Sequence, residues 1–440
     1  MQEPFFIKKV AVLGAGVMGA QIAAHCVNAG IETLLYDLPA KEGKPNSLVD
    51  KAIAQLGKLK PAPLATPQTA ALLHACNYEQ DLSELQGCDL VIEAIAERLD
   101  WKEDLYRKIS PHLAKNAILV SNTSGLSINT LCSVLPEQHH HHFCGVHFFN
   151  PPRYMHLAEL IPAKSTNKEL LDHLETWLTR YLGKGVVRAK DTPNFIANRI
   201  GVFSLLATLH HASAMKMGLD EVDALTGPLL GRPKSATFRT MDVVGLDTME
   251  HVVRTMQEQL KEDPWHANFE LPEWLVKLVR EGHLGQKTGQ GIYRKQGKTI
   301  EVYDLQTGNY RPAEGKVSDE LKAIMSQKDS AERMKALMQS QNKQAQFLAA
   351  CFRDVFHYCA YHLEGIADNV RDIDLAIRWG FGWAQGPFET WQQADIAAVN
   401  HFIDEAIKQK SSLSSAPLPQ WLNSINAFYT EEGAYSPADG

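Results

Sequence analysis

At 440 residues the chain is long enough for two or three domains. Its composition is 45% hydrophobic and 22% charged, with a formal net charge of −7, as expected of a soluble globular enzyme. Acids and bases are well mixed. No basic stripe points to a nucleic-acid partner, and no 18-residue apolar run points to a membrane span. Seven cysteines are scattered without a C-x-x-C pair, the pattern of reduced, packing thiols in a cytoplasmic protein. The N-terminus leads almost directly into the first apolar run, which leaves no room for a signal peptide.

Residues 8–37 read as a β-α-β unit. The run Val10–Leu13 ends in Gly14-Ala-Gly16-Val17-Met18-Gly19, and an alanine-rich helical stretch follows. Each glycine has a mechanical task in binding a dinucleotide. Gly14 makes the turn out of the strand, Gly16 lets the backbone approach a pyrophosphate, and Gly19 lets helix pack on sheet. The second strand, Glu32–Asp37, ends in an acid about 20 residues on, where a carboxylate binds ribose hydroxyls and repels a 2′-phosphate. The pattern therefore predicts NAD and not NADP.

Further along, a lysine- and proline-bearing segment (Lys58, Lys60, Pro61, Pro63, Pro67) reads as helix and then loop. Short strands are expected at Asp89–Ala94, Ala117–Ser121, Gly145–Asn150, His156–Pro162 and Gly185–Ala189, with helices at Trp101–Leu113 and 168–182. Alternation of strand and helix implies a parallel, doubly wound sheet over residues 1–190. From Ile196, apolar residues recur at helical spacing, and the remainder reads as helical: a first unit at 191–293, a hairpin and linker at 294–345, and a second unit at 346–440. Val222-Asp223 recurs as Ile373-Asp374, and Phe238 as Phe388, after an interval of about 150 residues, which predicts a repeat.

His147 lies where a strand ends, and Glu159 follows in the next alternating run. Adjacent strands bring such a pair together. A histidine near neutral pKa suits removal of a hydroxyl proton, and a carboxylate on its other nitrogen fixes the tautomer. The same spacing also fits a core histidine and a surface glutamate. Ser121–Gly125 is a hydroxyl-rich segment that fits either a helix cap or a substrate contact through Ser124. Asn198 opens the buried helix, as a satisfied core residue or a substrate contact. Glu93, Glu97 and Lys102 follow a strand that should end near a nicotinamide. His139–His142 lacks the spacing of a metal site and reads as a solvated loop. Lys287-x-Gly289-x-Gly291 reads as a structural turn.

Taken together, the chain resembles the 3-hydroxyacyl-CoA dehydrogenases of fatty-acid β-oxidation. The matching segments are Gly14–Gly19, Glu93–Glu97, Ser121–Gly125, His147–Pro151, Lys190–Pro193 with Phe195–Arg199, and Val243–Asp247. The resemblance implies a catalytic His147 oriented by Glu159, and Ser124 and Asn198 around the reacting oxygen and the thioester carbonyl. It implies NAD contacts by the glycine turn with Val17 and Met18, and by Asp37, Glu97, Lys102 and Asn150. It suggests Lys58 or Lys60 for coenzyme A. It implies an acyl-CoA thioester substrate, and a homodimer or association with thiolase or hydratase partners. Gly386-Pro-Phe-Glu389 occurs in the second helical unit, whereas the first has Gly231-Arg-Pro-Lys-Ser-Ala-Thr-Phe238. That arrangement looks like the long form found in fused β-oxidation proteins. Two rival readings are a CoA-free hydroxyacid dehydrogenase on the same fold and a redox-dead NAD-binding scaffold.

Overall fold

The computed structural model describes residues 7–438. The reading of a leaderless N-terminus falls partly on residues 1–6, outside that range. The chain divides into two compact units, Met1–Phe195 and Ile196–Gly440. Residues 191–195 belong with the first, because the Asp191 carboxylate receives the Ser127 hydroxyl and the Ile128 and Asn129 amides at 2.7–2.8 Å.

In the first unit the strands are β1 (Lys9–Leu13), β2 (Glu32–Asp37), β3 (Leu73–Asn77), β4 (Leu90–Glu93), β5 (Ile118–Ser121), β6 (Phe143–Phe148), β7 (Leu157–Pro162) and β8 (Gly185–Arg188). The helices are α1 (Val17–Asn28), α2 (Ser47–Leu56), α3 (Leu99–Ile109), α4 (Ile128–Val134) and α5 (Lys168–Arg180). The strands form one sheet in the order β3-β2-β1-β4-β5-β6-β7-β8. The central strands β4, β5 and β6 are buried and mostly apolar, as strands covered on both faces must be, with polar residues confined to their carboxyl ends at Glu93, Ser121 and His147. The order reverses between β1 and β4, and ligands bind beyond the carboxyl ends of strands at such a switch.

Two sequence expectations need correction. The sheet is not wholly parallel: β7 runs antiparallel to β6, and β8 pairs parallel with β7. The connection 149–156 is shorter than the dozen or so residues a parallel crossover needs. The Lys58–Pro67 segment runs from the end of α2 into loop, as expected, and beyond it lies a strand for which the sequence raises no expectation, the edge strand β3 with His74 exposed. The histidine tetrad is no solvated loop. It forms a 3-10 turn at Glu137–His142, with His139 buried, His140 bonded to the Leu135 carbonyl at 2.7 Å and His141 to the Ser165 carbonyl at 2.8 Å. All seven cysteines are free and buried.

The second unit comprises α6 (Ala197–Ala214), α7 (Leu219–Thr226), α8 (Phe238–Val244), α9 (Leu246–Gln259) and α10 (Glu273–Arg280). A three-stranded sheet follows, β9 (Tyr293–Gln296), β10 (Thr299–Tyr303) and β11 (Tyr310–Pro312). Then come α11 (Asp319–Met325), α12 (Ser330–Gln339), α13 (Lys343–Ile366), α14 (Val370–Phe381), α15 (Pro387–Gln393) and α16 (Ile396–Lys408). The long helices α6 and α13 pack together and are buried on nearly every face. The turn at 285–291 is structural: the buried Asp242 carboxylate accepts the Ile292 and Tyr293 amides at 2.8 Å.

The repeat has a physical counterpart. Asp223 accepts the amides of Phe238 and Arg239 at the start of α8, at 2.7 and 3.0 Å, and the Tyr293 hydroxyl at 2.9 Å. Asp374 does the same for Phe388 and Glu389 at the start of α15, both at 2.8 Å, and for the Tyr429 hydroxyl at 2.6 Å. The loops before α8 and α15 meet reciprocally. A Cβ on Gly231 would lie 3.0 Å from Ala384, and one on Gly382 would lie 3.0 Å from Pro233. Such i-to-j and j-to-i contact marks a local two-fold relation between the repeats.

Candidate active site

The glycine turn has the geometry its three positions demand. Gly14 sits at φ +105°, where a side chain is strained, and its Cβ would press the Ala94 carbonyl at 2.8 Å. Gly19 lies so near the Gly14 carbonyl that a Cβ would come within 1.8 Å. Around Gly16, by contrast, nothing lies within 4 Å of such an atom. Helix α1 then begins with no side-chain cap and no acid in its first turn, so its amide groups are available to an anion. Val17 is exposed and Met18 partly so.

At the end of β2 the Asp37 carboxylate accepts the Ala15 amide at 2.8 Å and the Leu38 amide at 2.7 Å. One acid thereby fixes the glycine turn and stands where a ribose would be held. An open turn, a free helix start and a carboxylate at the second strand together fit a dinucleotide.

Beside them stands β4, whose last residue is Glu93. It is wholly buried and accepts Lys102 Nζ at 2.6 Å, Ser121 Oγ at 2.6 Å, Tyr106 Oη at 3.1 Å and the Ile95 amide at 2.8 Å. The pairing of Glu93 with Ser121 follows from the β4–β5 register. Lys102 is 1% exposed, so its ammonium is engaged inside the protein. This differs from the cofactor contact implied by resemblance: in this structure Lys102 neutralises a buried carboxylate. Glu97 accepts the Thr123 hydroxyl at 2.7 Å together with the Ser124 amide and hydroxyl, the last at 3.2 Å. Two residues singled out separately, Glu97 and Ser124, are thus bonded partners.

His147 lies one residue from the end of β6 and is directly opposite Glu159 in the β6–β7 ladder. Its Nδ1 meets Glu159 Oε2 at 2.8 Å. Histidine and glutamate are 5% and 0% exposed, so the pair lies in a low-dielectric setting. The Phe149 and Phe195 rings pack on the imidazole, with centroids 4.5 and 5.7 Å away. Among the described residues no partner meets Nε2. A ring held at Nδ1 and free at Nε2 can take up a proton there.

Asn150 accepts Gln21 Nε2 at 3.3 Å, which links the end of β6 to α1. Asn122 accepts the Phe148 amide at 2.9 Å and so aligns β5 with β6. Lys58 and Lys60 are exposed in the segment after α2. Asn198 lies on the first turn of α6, in the second unit. Sequence reasoning overlooked Gln21, Asn122, Phe149 and Phe195. Asn122, Phe149 and Phe195 lie inside the quoted motifs, whereas Gln21 carries no local signal. Among the described residues no cluster of His, Cys, Asp or Glu could hold a metal, and no helix is long and apolar enough to cross a membrane.

The model of the 3-hydroxyacyl-CoA dehydrogenase NAD binding domain matches residues 9–192, and that of the family's C-terminal domain matches 195–295. A probable 3-hydroxyacyl-CoA dehydrogenase of Deinococcus radiodurans is 43% identical over 291 residues, covering 66% of this chain and 83% of the relative. The chain belongs to the 3-hydroxyacyl-CoA dehydrogenase family. Its matched first domain makes NAD the cofactor. A probable 3-hydroxyacyl-CoA dehydrogenase of Bacillus subtilis is 38% identical over 446 residues, covering 97% of this chain but 55% of the relative. The chain therefore spans about half the length of that relative. The crystal structure of 3-hydroxybutyryl-CoA dehydrogenase from Escherichia coli aligns over 95% of this chain and 98% of its own, with a TM-score of 0.69 at 21% identity. That likeness shows that the fold, both helical repeats included, is shared.

Proposed function

We propose that this chain catalyses the reversible oxidation of a (3S)-3-hydroxyacyl-CoA to the 3-ketoacyl-CoA, a step of fatty-acid β-oxidation. The observation that carries the reading is the 2.8 Å bond from His147 Nδ1 to Glu159 in a strand-fixed, buried pair. His147 Nε2 takes the hydroxyl proton from the substrate. Glu159 holds the ring in the required tautomer and offsets the imidazolium charge that forms. Ser124 and Asn198 position the reacting oxygen and the thioester. The glycine turn, Asp37 and Asn150 bind and orient the dinucleotide, with Glu97 setting the loop that carries Ser124. NAD, when bound, supplies the hydride acceptor for C3.

The substrate class is an acyl-CoA thioester, with Lys58 or Lys60 meeting the coenzyme. In a protein as long as the Bacillus relative, the chain would be the dehydrogenase portion of a larger polypeptide, in association with hydratase or thiolase activities or as a homodimer. The test is His147→Gln. The variant should fold and bind NADH yet lose turnover with acetoacetyl-CoA, whereas normal turnover would overturn the assignment. Free hydroxyacids, assayed in parallel, should be turned over far more slowly.

A further inference from the structure

Within the second unit, a cavity of about 270 Å³ lies between the two repeats and beneath α12. At roughly 30 Å³ per water molecule it has room for a small organic ligand. Much of its wall is apolar, including Met334, Leu337 and Phe356. The polar part is unusual. Arg232 lines the cavity with its guanidinium 3.5 Å above the centre of the Trp383 ring. Among the described residues no carboxylate pairs with it and no acceptor lies within hydrogen-bond reach. Arg333 also lines the cavity, and its bonds go to neutral groups only, the Gln327 carbonyl and the Ser330 hydroxyl, both at 2.8 Å. No aspartate or glutamate contributes to the wall.

Two half-buried arginines thus line one cavity of mixed polar and apolar wall without a countercharge. The more deeply buried arginines of this unit are neutralised, Arg199 by Asp263 and Arg353 by Asp354. Desolvation pushes the Arg232 guanidinium down to about 10, the direction expected of a cation that lacks an anion. Stacking on Trp383 occupies one face of the guanidinium and leaves its N–H edge for a planar acceptor with two oxygens.

We infer that this cavity binds a small carboxylate-headed amphiphile, with the carboxylate against Arg232 and Arg333 and a short alkyl chain among Met334, Leu337 and Phe356. The site lies wholly within residues 229–394 and does not depend on the dehydrogenase reading. The reciprocal loop contact makes the site asymmetric. Arg232 and Trp383 hold equivalent places in the two repeats, and only the Arg232 side carries charge.

Calorimetric titration of the whole chain with octanoate, octanol and octyl phosphate tests this. Octanoate should bind saturably at one site, with octanol at least tenfold weaker. Arg232→Met should weaken octanoate at least tenfold and leave octanol unchanged, with Arg232→Lys between. Met334→Trp, which fills the cavity, should abolish both, and if that variant fails to fold the arginine variants decide. Equal binding of octanoate and octanol, an unaltered affinity in Arg232→Met, or no saturable heat at millimolar ligand would overturn the site. Octyl phosphate binding more tightly than octanoate would overturn the carboxylate assignment.

Discussion

Glu159 stands directly opposite His147 in an antiparallel ladder, so the bond between them is set by the register of two strands and not by a loop. The ladder runs from the Cys144–Pro162 pair to the Phe148–Ala158 pair and fixes the two residues opposite each other. Changes confined to the chemistry should therefore leave the fold intact. Glu159→Gln keeps the shape but removes the charge that offsets the imidazolium. We expect kcat with acetoacetyl-CoA to fall about 10²–10⁴-fold in His147→Gln and by a smaller factor in Glu159→Gln. NADH affinity, followed by fluorescence, should be unchanged in both. A Glu159→Gln enzyme with full kcat would remove the carboxylate from the mechanism.

The glycine turn separates folding from binding. Gly19→Ala puts a methyl 1.8 Å from the Gly14 carbonyl, whereas Gly16→Ala meets nothing within 4 Å. The first should be poorly folded. The second should melt like the wild type yet bind NAD at least tenfold more weakly, because the new methyl stands in the way of the pyrophosphate. Circular dichroism melts and NADH titration would distinguish them, and a Gly16→Ala protein with wild-type affinity would refute the placement.

Asp37 is expected to govern the choice of dinucleotide. Its replacement by serine should raise KM for NAD about tenfold or more and reduce the preference over NADP. Some loss of order in the turn should accompany this, since the carboxylate also holds Ala15 and Leu38. Steady-state KM values for both cofactors measure the effect. Unchanged discrimination would place the ribose elsewhere.

Lys102 and Glu93 form a buried pair, and breaking one member leaves an uncompensated charge at a cost of about 3–5 kcal/mol. Lys102→Met should be strongly destabilised in urea. The double variant Lys102→Met/Glu93→Gln should regain much of that loss. If Lys102→Met instead kept its stability and lost only NADH affinity, the lysine would be a cofactor ligand after all.

The two repeat aspartates should make stability depend on pH in a particular direction. Burial pushes Asp223 up to about 6 and Asp374 up to about 7, from an ordinary 3.8. Between those values the folded chain holds protons that the unfolded chain has released. Their contribution is therefore full below about pH 4 and is lost as pH rises through 6 and 7. The urea stability of the wild type relative to Asp374→Asn should fall between pH 5 and 8. A difference that rises over that range would contradict the reading.

Much of this was legible from sequence, because strong periodicities and glycine positions depend on local geometry. The β1-α1-β2 unit and the acid at Asp37 are visible as pattern, whereas the spacing of His147 and Glu159 permits the pair without requiring it, and the family resemblance singles it out. The direction of β7 was not, although the short link to β6 carried it. Lys102 shows the limit most clearly. Its partner Glu93 on β4 also receives Tyr106 from α3 and Ser121 from β5, and no local window reveals that these three elements converge on one carboxylate. The histidine tetrad differs from expectation for a related reason: a polar run reads as solvated, while two of its rings, His140 and His141, bond to the carbonyls of Leu135 and Ser165.

The stack of Arg232 on Trp383 bears on why two repeats are worth joining. Where two identical chains pair about an axis, a residue on that axis meets its own copy. An arginine there would confront a second like charge. Covalent tandem arrangement removes that restriction, because the two halves of the contact are encoded separately. One half is then free to become a cation and the other an indole, a pairing that no symmetric assembly of a single short chain can place on its own dyad.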